Sequence, residues 1–216
     1  NGGKRRSYSL IKELSKNCDI DLLTLYRPDD DLQLLEKEAS KYCKNIFSFQ
    51  RAPGKNIKNY LKAVFSTEPI QCIIYYSEAM EDFIKKNHEK YDIIYVETYY
   101  MYKNFENIKS KTPILLCWHN VDSLLHSRLL RQIKNPLMKL AIWLDVKKQA
   151  RKEKNLLKKS KYNLAVSQDD IDYFQRKWDN EFFYSPNGVD TKSFHSKKDR
   201  EKNTLLFVGD FGAIAN

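Results

Sequence analysis

The chain has 216 residues, 42% of them hydrophobic, enough for one substantial core and too apolar for a disordered chain. Lys and Arg number 38 against 28 Asp and Glu, a net +10 that favours polyanionic partners: phosphorylated substrates, anionic lipid or nucleic acid. No apolar run approaches the ~20 residues of a membrane-spanning helix, no signal-peptide pattern opens the chain, and Cys18, Cys43, Cys72 and Cys117 are too scattered for a zinc site or a disulfide framework, so a reducing, cytoplasmic setting with only peripheral membrane contact is expected.

Behind Gly2 and Gly3, residues 5–16 place Leu10, Ile11 and Leu14 on one helical face. Residues 19–26 (DIDLLTLY) read as a buried strand, 29–42 as a helix after Pro28, 45–49 as a short strand, and 56–65 as a helix. A helix over 78–86 turns Met80, Phe83 and Ile84 inward. Residues 92–97 (DIIYVE) and 113–118 (PILLCW) are apolar along their length, as parallel strands covered on both faces are. Asn135-Pro136 ends one helix and starts a long one reaching about Ser160, followed by a strand at 162–166, a helix at 168–177, a short strand at 182–184 and a turn at Pro186-Asn187-Gly188. Residues 196–203 read as a linker and 204–208 (TLLFV) as the start of something new. Alternating strands and helices predict an α/β fold: a Rossmann-like, doubly wound, mostly parallel sheet flanked by helices, with its ligand site beyond the carboxyl ends of the strands.

His119, in Trp118-His119-Asn120 where a buried strand ends, is the best single candidate for chemistry; a histidine capping the strand through hydrogen bonds is the alternative. His88, His126 and His195 read as surface residues. Glu97, Tyr99 and Tyr100 end the other clear strand, where a carboxylate and ring faces could hold a sugar, although Glu97 could equally salt-bridge a lysine. Gly2 and Gly3 before a helix, with Lys4, Arg5 and Arg6 nearby, can approach a phosphate. Lys147, Lys148, Arg151, Lys152, Lys154, Lys158, Lys159 and Lys161 stand against Glu153 alone, beside Leu137, Leu140, Ile142, Trp143 and Leu144; an anionic membrane surface or a solvated helix face explains them. Nucleic acid is disfavoured because no recognition motif appears, and P-loop, zinc-protease, α/β-hydrolase and EF-hand signatures are absent.

The ordered series Gly2-Gly3 with Arg6, His119-Asn120-Val121-Asp122-Ser123 with Arg128, Val166-Ser167 with Asp169-Asp170, Pro186-Asn187-Gly188-Val189-Asp190 with Phe194, and Phe207-Val208-Gly209 with Asn216 resembles group-1 glycosyltransferases, retaining enzymes of the GT-B fold that use nucleotide-sugar donors. The resemblance implies a cytoplasmic transferase of polysaccharide biosynthesis type, peripheral on the inner face of the membrane, moving a sugar from a nucleotide-sugar to a glycan or lipid-linked acceptor. It implies His119 beside the transferred sugar; Gly2, Gly3 and Arg6 toward the donor; Glu97, Tyr99, Tyr100, Asn120 and Arg128 toward the acceptor; and Asn187 and Gly188 at the interdomain crossing. Neither metal nor cofactor is implied. Two departures stand out: Asp210 and Phe211 follow Gly209 where relatives carry Arg and then Lys, and the paired-glutamate motif of the donor domain is missing.

On this resemblance residues 1–195 are the acceptor-side domain lacking its first strand, and 204–216 open the donor domain, with 204–208 expected to fill the open strand position in the same chain or in a strand-swapped dimer. The chain by itself is then expected to be catalytically incomplete. Two rivals stand beside this reading: another Rossmann nucleotide-binding enzyme, which lacks its G-x-G-x-x-G loop here, and a non-catalytic basic module docking on anionic membrane or a partner.

Overall fold

The computed structural model describes residues 2–54, 56–191 and 204–205. Six strands and eight α-helices alternate along them: α1 (Gly2–Leu14), β1 (Asp21–Tyr26), α2 (Leu32–Ala39), β2 (Asn45–Gln50), α3 (Ile57–Phe65), α4 (Ile70–Ile74), α5 (Glu78–Asn87), β3 (Ile94–Glu97), β4 (Ile114–Trp118), α6 (Asp122–Leu129), α7 (Pro136–Lys159), β5 (Tyr162–Ala165), α8 (Gln168–Gln175) and β6 (Phe182–Tyr184). Short 3-10 turns lie at His88–Lys90 and Met101–Phe105. The result is an α/β fold of parallel sheets flanked by helices, compatible with a Rossmann-like arrangement. No helix of the described residues is long and apolar enough to cross a membrane.

The strands form two sheets, one of β1 and β2 and one in the order β3-β4-β5-β6, every pair parallel. Among the described residues β1 and β3 each pair on one side only; Tyr91 Oη, just ahead of β3, donates to Asp21 Oδ2 at the start of β1, 3.0 Å away. In the larger sheet the register sets Val96 beside Leu116 and Trp118 beside Ala165, so these side chains share one face. Leu156 and Leu157 of α7 and Ile171 and Phe174 of α8 close over that face to make the core. Trp118 is its largest member, packed edge-on against Phe174 with ring centroids 4.9 Å apart, its indole N–H donating to Asn163 Oδ1 at 3.0 Å. The same register puts Glu97 beside Cys117 on the opposite face.

Helix caps explain the boundaries that frame this sheet. Asn135 accepts from the amides of Leu137 and Met138 and Pro136 takes the first turn, so α7 begins where Asn135-Pro136 predicts. Ser167 caps α8 by accepting from Asp170 N.

Several expectations change. The short helix α4 and the 3-10 turn after β3 have no clear sequence signal. Lys152 is not part of an exposed basic stripe: it is buried and bonded to Glu68 and Glu106, at 3.0 and 2.8 Å, because the second half of α7 turns Val146, Gln149, Glu153, Leu156 and Leu157 inward. His88 and His126 are half-buried, their Nδ1 atoms 2.9 Å from Ser110 Oγ and Gln149 Oε1, and not simply surface residues. Pro186, Asn187 and Gly188 form no turn, and no glycine among the described residues has positive φ. Of the strand expected at 204–208, Thr204 and Leu205 are in no strand and Leu205 is 88% exposed; its remainder, the 196–203 linker, Phe194, His195, Gly209 and Asn216 lie outside the described residues.

Candidate functional site

Parallel strands end together, and the loops beyond β3 and β4 build a pocket of about 220 Å³ lined by Gly3, Thr98, Tyr99, Tyr100, Trp118, His119, Asn120 and Asp122. Three separated stretches meet there: the start of α1, the β3 exit and the β4 exit running into α6. A depression of about 240 Å³ at the opposite, N-terminal ends of β1 and β2 gathers no comparable group.

His119 Nε2 contacts Glu97 Oε2, a consequence of the strand register that sets Glu97 beside Cys117. Burial disfavours the charged ring, but its contacts with Cys117 and Glu97 outweigh this and raise its pKa to about 9. Beyond this ion pair, neither Glu97 Oε1 nor His119 Nε2 has a further hydrogen-bond partner. They are not alone. Among the described residues five buried polar side-chain atoms have no partner, the others being Tyr95 Oη, Thr98 Oγ1 and Arg6 Nε. Four of the five residues lie on or just beyond β3 and β4, and Arg6 on α1 is near enough for its charge to act on Tyr95. Native interiors leave few such atoms, and their gathering around the β3 and β4 exits makes this region the candidate site.

Thr98 makes the exit from β3 with φ 73°, a left-handed conformation that a β-branched residue adopts at a cost. Its amide still donates to Cys117 O at 3.0 Å, so the strand pairing holds up to the bend. Asp122, at the first turn of α6, is buried; burial first, and the charge of Asp170, push its carboxyl up to about 6 against the pull of His126 and His119. Next to it Ser123 donates its amide to Glu153 Oε1 at 3.0 Å and its hydroxyl to Glu153 Oε2. Burial raises the Glu153 carboxyl to about 7 despite those bonds.

The expected residues divide accordingly. Gly3, Tyr99, Tyr100, His119 and Asn120 line the pocket and Glu97 stands behind His119, but the Tyr99 ring is core, 2% exposed with its hydroxyl donating to Gln71 at 3.1 Å. Gly2 and Gly3 lie in the first turn of α1 and not in a loop ahead of it, and Gly3 lines the pocket. Arg6 is committed to the segment after β6, donating to Ser185 Oγ, Pro186 O and Asn187 Oδ1 at 3.1 to 3.2 Å. Arg128 is exposed and does not line the pocket; neither do Asn187 and Gly188. Asp122 and Thr98 were not singled out as site residues; an acid opening a helix directly after His119 was the available signal for the first, and none existed for the second.

Glu97, Cys117 and His119 also bring a carboxylate oxygen, a thiol and a ring nitrogen within 4.8 Å of one another, donor types that suit zinc. Cys117 and the other three cysteines form no disulfide.

Compared with known protein families, curated proteins and solved structures, the chain matches none.

Proposed function

We propose that this chain is the acceptor-side half of a retaining, nucleotide-sugar-dependent glycosyltransferase of GT-B type. The observation that carries the reading is the meeting of the α1 start with His119, Asn120 and Tyr100 in one pocket at the carboxyl ends of parallel strands, with the Glu97 carboxylate against the His119 ring. The strands are compatible with it too: among the described residues a parallel β1-β2 pair and a parallel β3-β4-β5-β6 sheet are linked by the Tyr91–Asp21 contact.

In this reading the bond between the sugar and the donor diphosphate breaks as the acceptor oxygen bonds the same carbon, and the acceptor proton leaves with the diphosphate. The α1 amides and the protonated His119 ring lie where negative charge develops on the donor, and Glu97 holds that ring charged and oriented. Tyr100 offers an apolar face and Asn120, exposed at the rim, an amide for acceptor hydroxyls. Most donor contacts belong to a second domain, so turnover is a property of the full-length protein.

The test is release of nucleoside diphosphate coupled to glycosylation of acceptor, with uridine- and guanosine-diphosphate sugars presented to the full-length protein. His119→Ala should lower kcat by about a hundredfold, within the range for loss of one charge-stabilising donor, while the variant remains folded by circular dichroism at the assay temperature. No transfer from any nucleotide-sugar, or lost stability with intact turnover, overturns the reading.

A further inference from the structure

The helix α3 and the first half of α7 hold ten of the eighteen exposed large apolar side chains among the described residues. On α3, Ile57, Leu61 and Phe65 fall at helical spacing on one face, and Phe65 is 87% exposed. On α7, Leu137, Leu140 and Leu144 do the same, with Trp143 beside them and Leu137 78% exposed. The two helices are adjacent: Lys148 of α7 donates Nζ to the carbonyls of Ala63 and Val64 near the end of α3. Together these adjacent helices expose ten large apolar side chains, the kind of clustering that marks an interaction surface.

Its charge is one-sided. Residues 56–67 and 131–144 contain no acid and carry Lys58, Lys62, Arg131, Lys134 and Lys139, all exposed. The acids that border them are turned inward, Glu68 to Lys103 and Lys152 and Asp145 to the Ile70 amide at 2.8 Å and to Gln149. Lys147 Nζ sits 5.5 Å from the Trp143 ring centroid, a pairing suited to a boundary between apolar and aqueous phases. A second copy would meet this cationic rim with its own.

We propose that the joint surface of α3 and α7 docks on an anionic lipid bilayer, its apolar side chains entering the acyl boundary and its lysines meeting lipid phosphates. It joins α3 to the apolar start of α7 that the sequence set beside the basic stripe; of that stripe Lys152 is buried, whereas Lys147, Arg151, Lys154, Lys158 and Lys159 stay exposed on the outer face of the second half of α7. The surface stands apart from the pocket residues, so its occupant does not depend on the transferase reading. One connection remains: α6, which brings Asp122 to the pocket, packs along α7, so a docked chain holds the pocket at a set height over the bilayer.

The test is flotation of the full chain with vesicles of pure phosphatidylcholine and with vesicles of equimolar phosphatidylcholine and phosphatidylglycerol, alongside its mass in solution by light scattering. The wild type should float with the mixed vesicles and remain monomeric. Phe65→Ser with Leu140→Ser, both at exposed sites, should abolish flotation with an unchanged melting temperature. Reversal of Lys58, Lys62 and Lys139 to Glu should weaken binding to mixed vesicles by at least about a hundredfold while leaving any weak binding to neutral vesicles in place. Absence of flotation, flotation indifferent to both sets of substitutions, or a dimer that the Phe65→Ser and Leu140→Ser pair dissociates overturns the proposal.

Discussion

At neutral pH the His119 ring carries a proton, because the Cys117 and Glu97 contacts that hold its pKa at about 9 outweigh burial. An imidazolium stabilises negative charge and cannot accept a proton, so kcat/KM of the full-length enzyme should fall as pH rises through about 9. Glu97→Gln should move that limb down toward the ordinary histidine value of 6.5, and a pH-rate profile that ignores the substitution would detach Glu97 from His119. Thr98 offers a different check. Its φ of 73° opposes folding, so Thr98→Gly should raise urea stability by about 1 kcal/mol after allowing for glycine's greater freedom when unfolded. A loss of stability would mean that the bend stores no strain. How much of this was legible beforehand follows from what each residue depends on. The apolar runs DIIYVE and PILLCW predict that Glu97 and His119 stand at strand ends. The register that sets Glu97 beside Cys117, and so brings the His119 ring to its carboxylate, depends on pairing between strands twenty residues apart and leaves no local trace.

Elements meet at the pocket wall through α6 and α7, where Glu153 accepts two bonds from Ser123 and lies close enough to Asp122 for their charges to oppose each other. Both carboxyls have folded pKa values above their ordinary ones, Asp122 from 3.8 to about 6 and Glu153 from 4.5 to about 7, so the folded state holds their protons more tightly than the unfolded chain. Their contribution is complete below the ordinary values and is lost as pH rises through the raised ones. Urea unfolding of the chain should therefore show stability declining between about pH 4.5 and 7, by about 3 kcal/mol for Glu153, and Glu153→Gln should flatten that decline. A slope unchanged in the variant removes Glu153 as its source. The α7 start was legible from Asn135-Pro136, whereas the inward turn of its second half was not: Lys152 and Glu153 read as solvated charges until Glu68, Glu106 and Ser123, all distant in sequence, are placed against them. The same applies to α3, whose apolar spacing predicts burial that the fold does not supply.

Across the whole molecule, parallel pairing and the α/β alternation follow from strand composition and helix spacing, while the division into two sheets does not, since no strand marks its own neighbour. That division has a consequence in time. The large apolar side chains of the core all come from residues beyond 70, whereas β1 and β2 have no fully buried residue. Amide hydrogens exchange when the bonds holding them open, and segments with little buried apolar surface open without global unfolding. Deuterium labelling should consequently resolve two populations in one chain: β4 and β5 exchanging at the rate of global unfolding, and β1 and β2 orders of magnitude sooner, as a separate cooperative unit. Uniform protection across both sheets would deny that independence. If the two rates hold, the smaller sheet comes and goes many times within the lifetime of the larger one, and anything that settles between the edges of β1 and β3 would be read as a slowing of its clock.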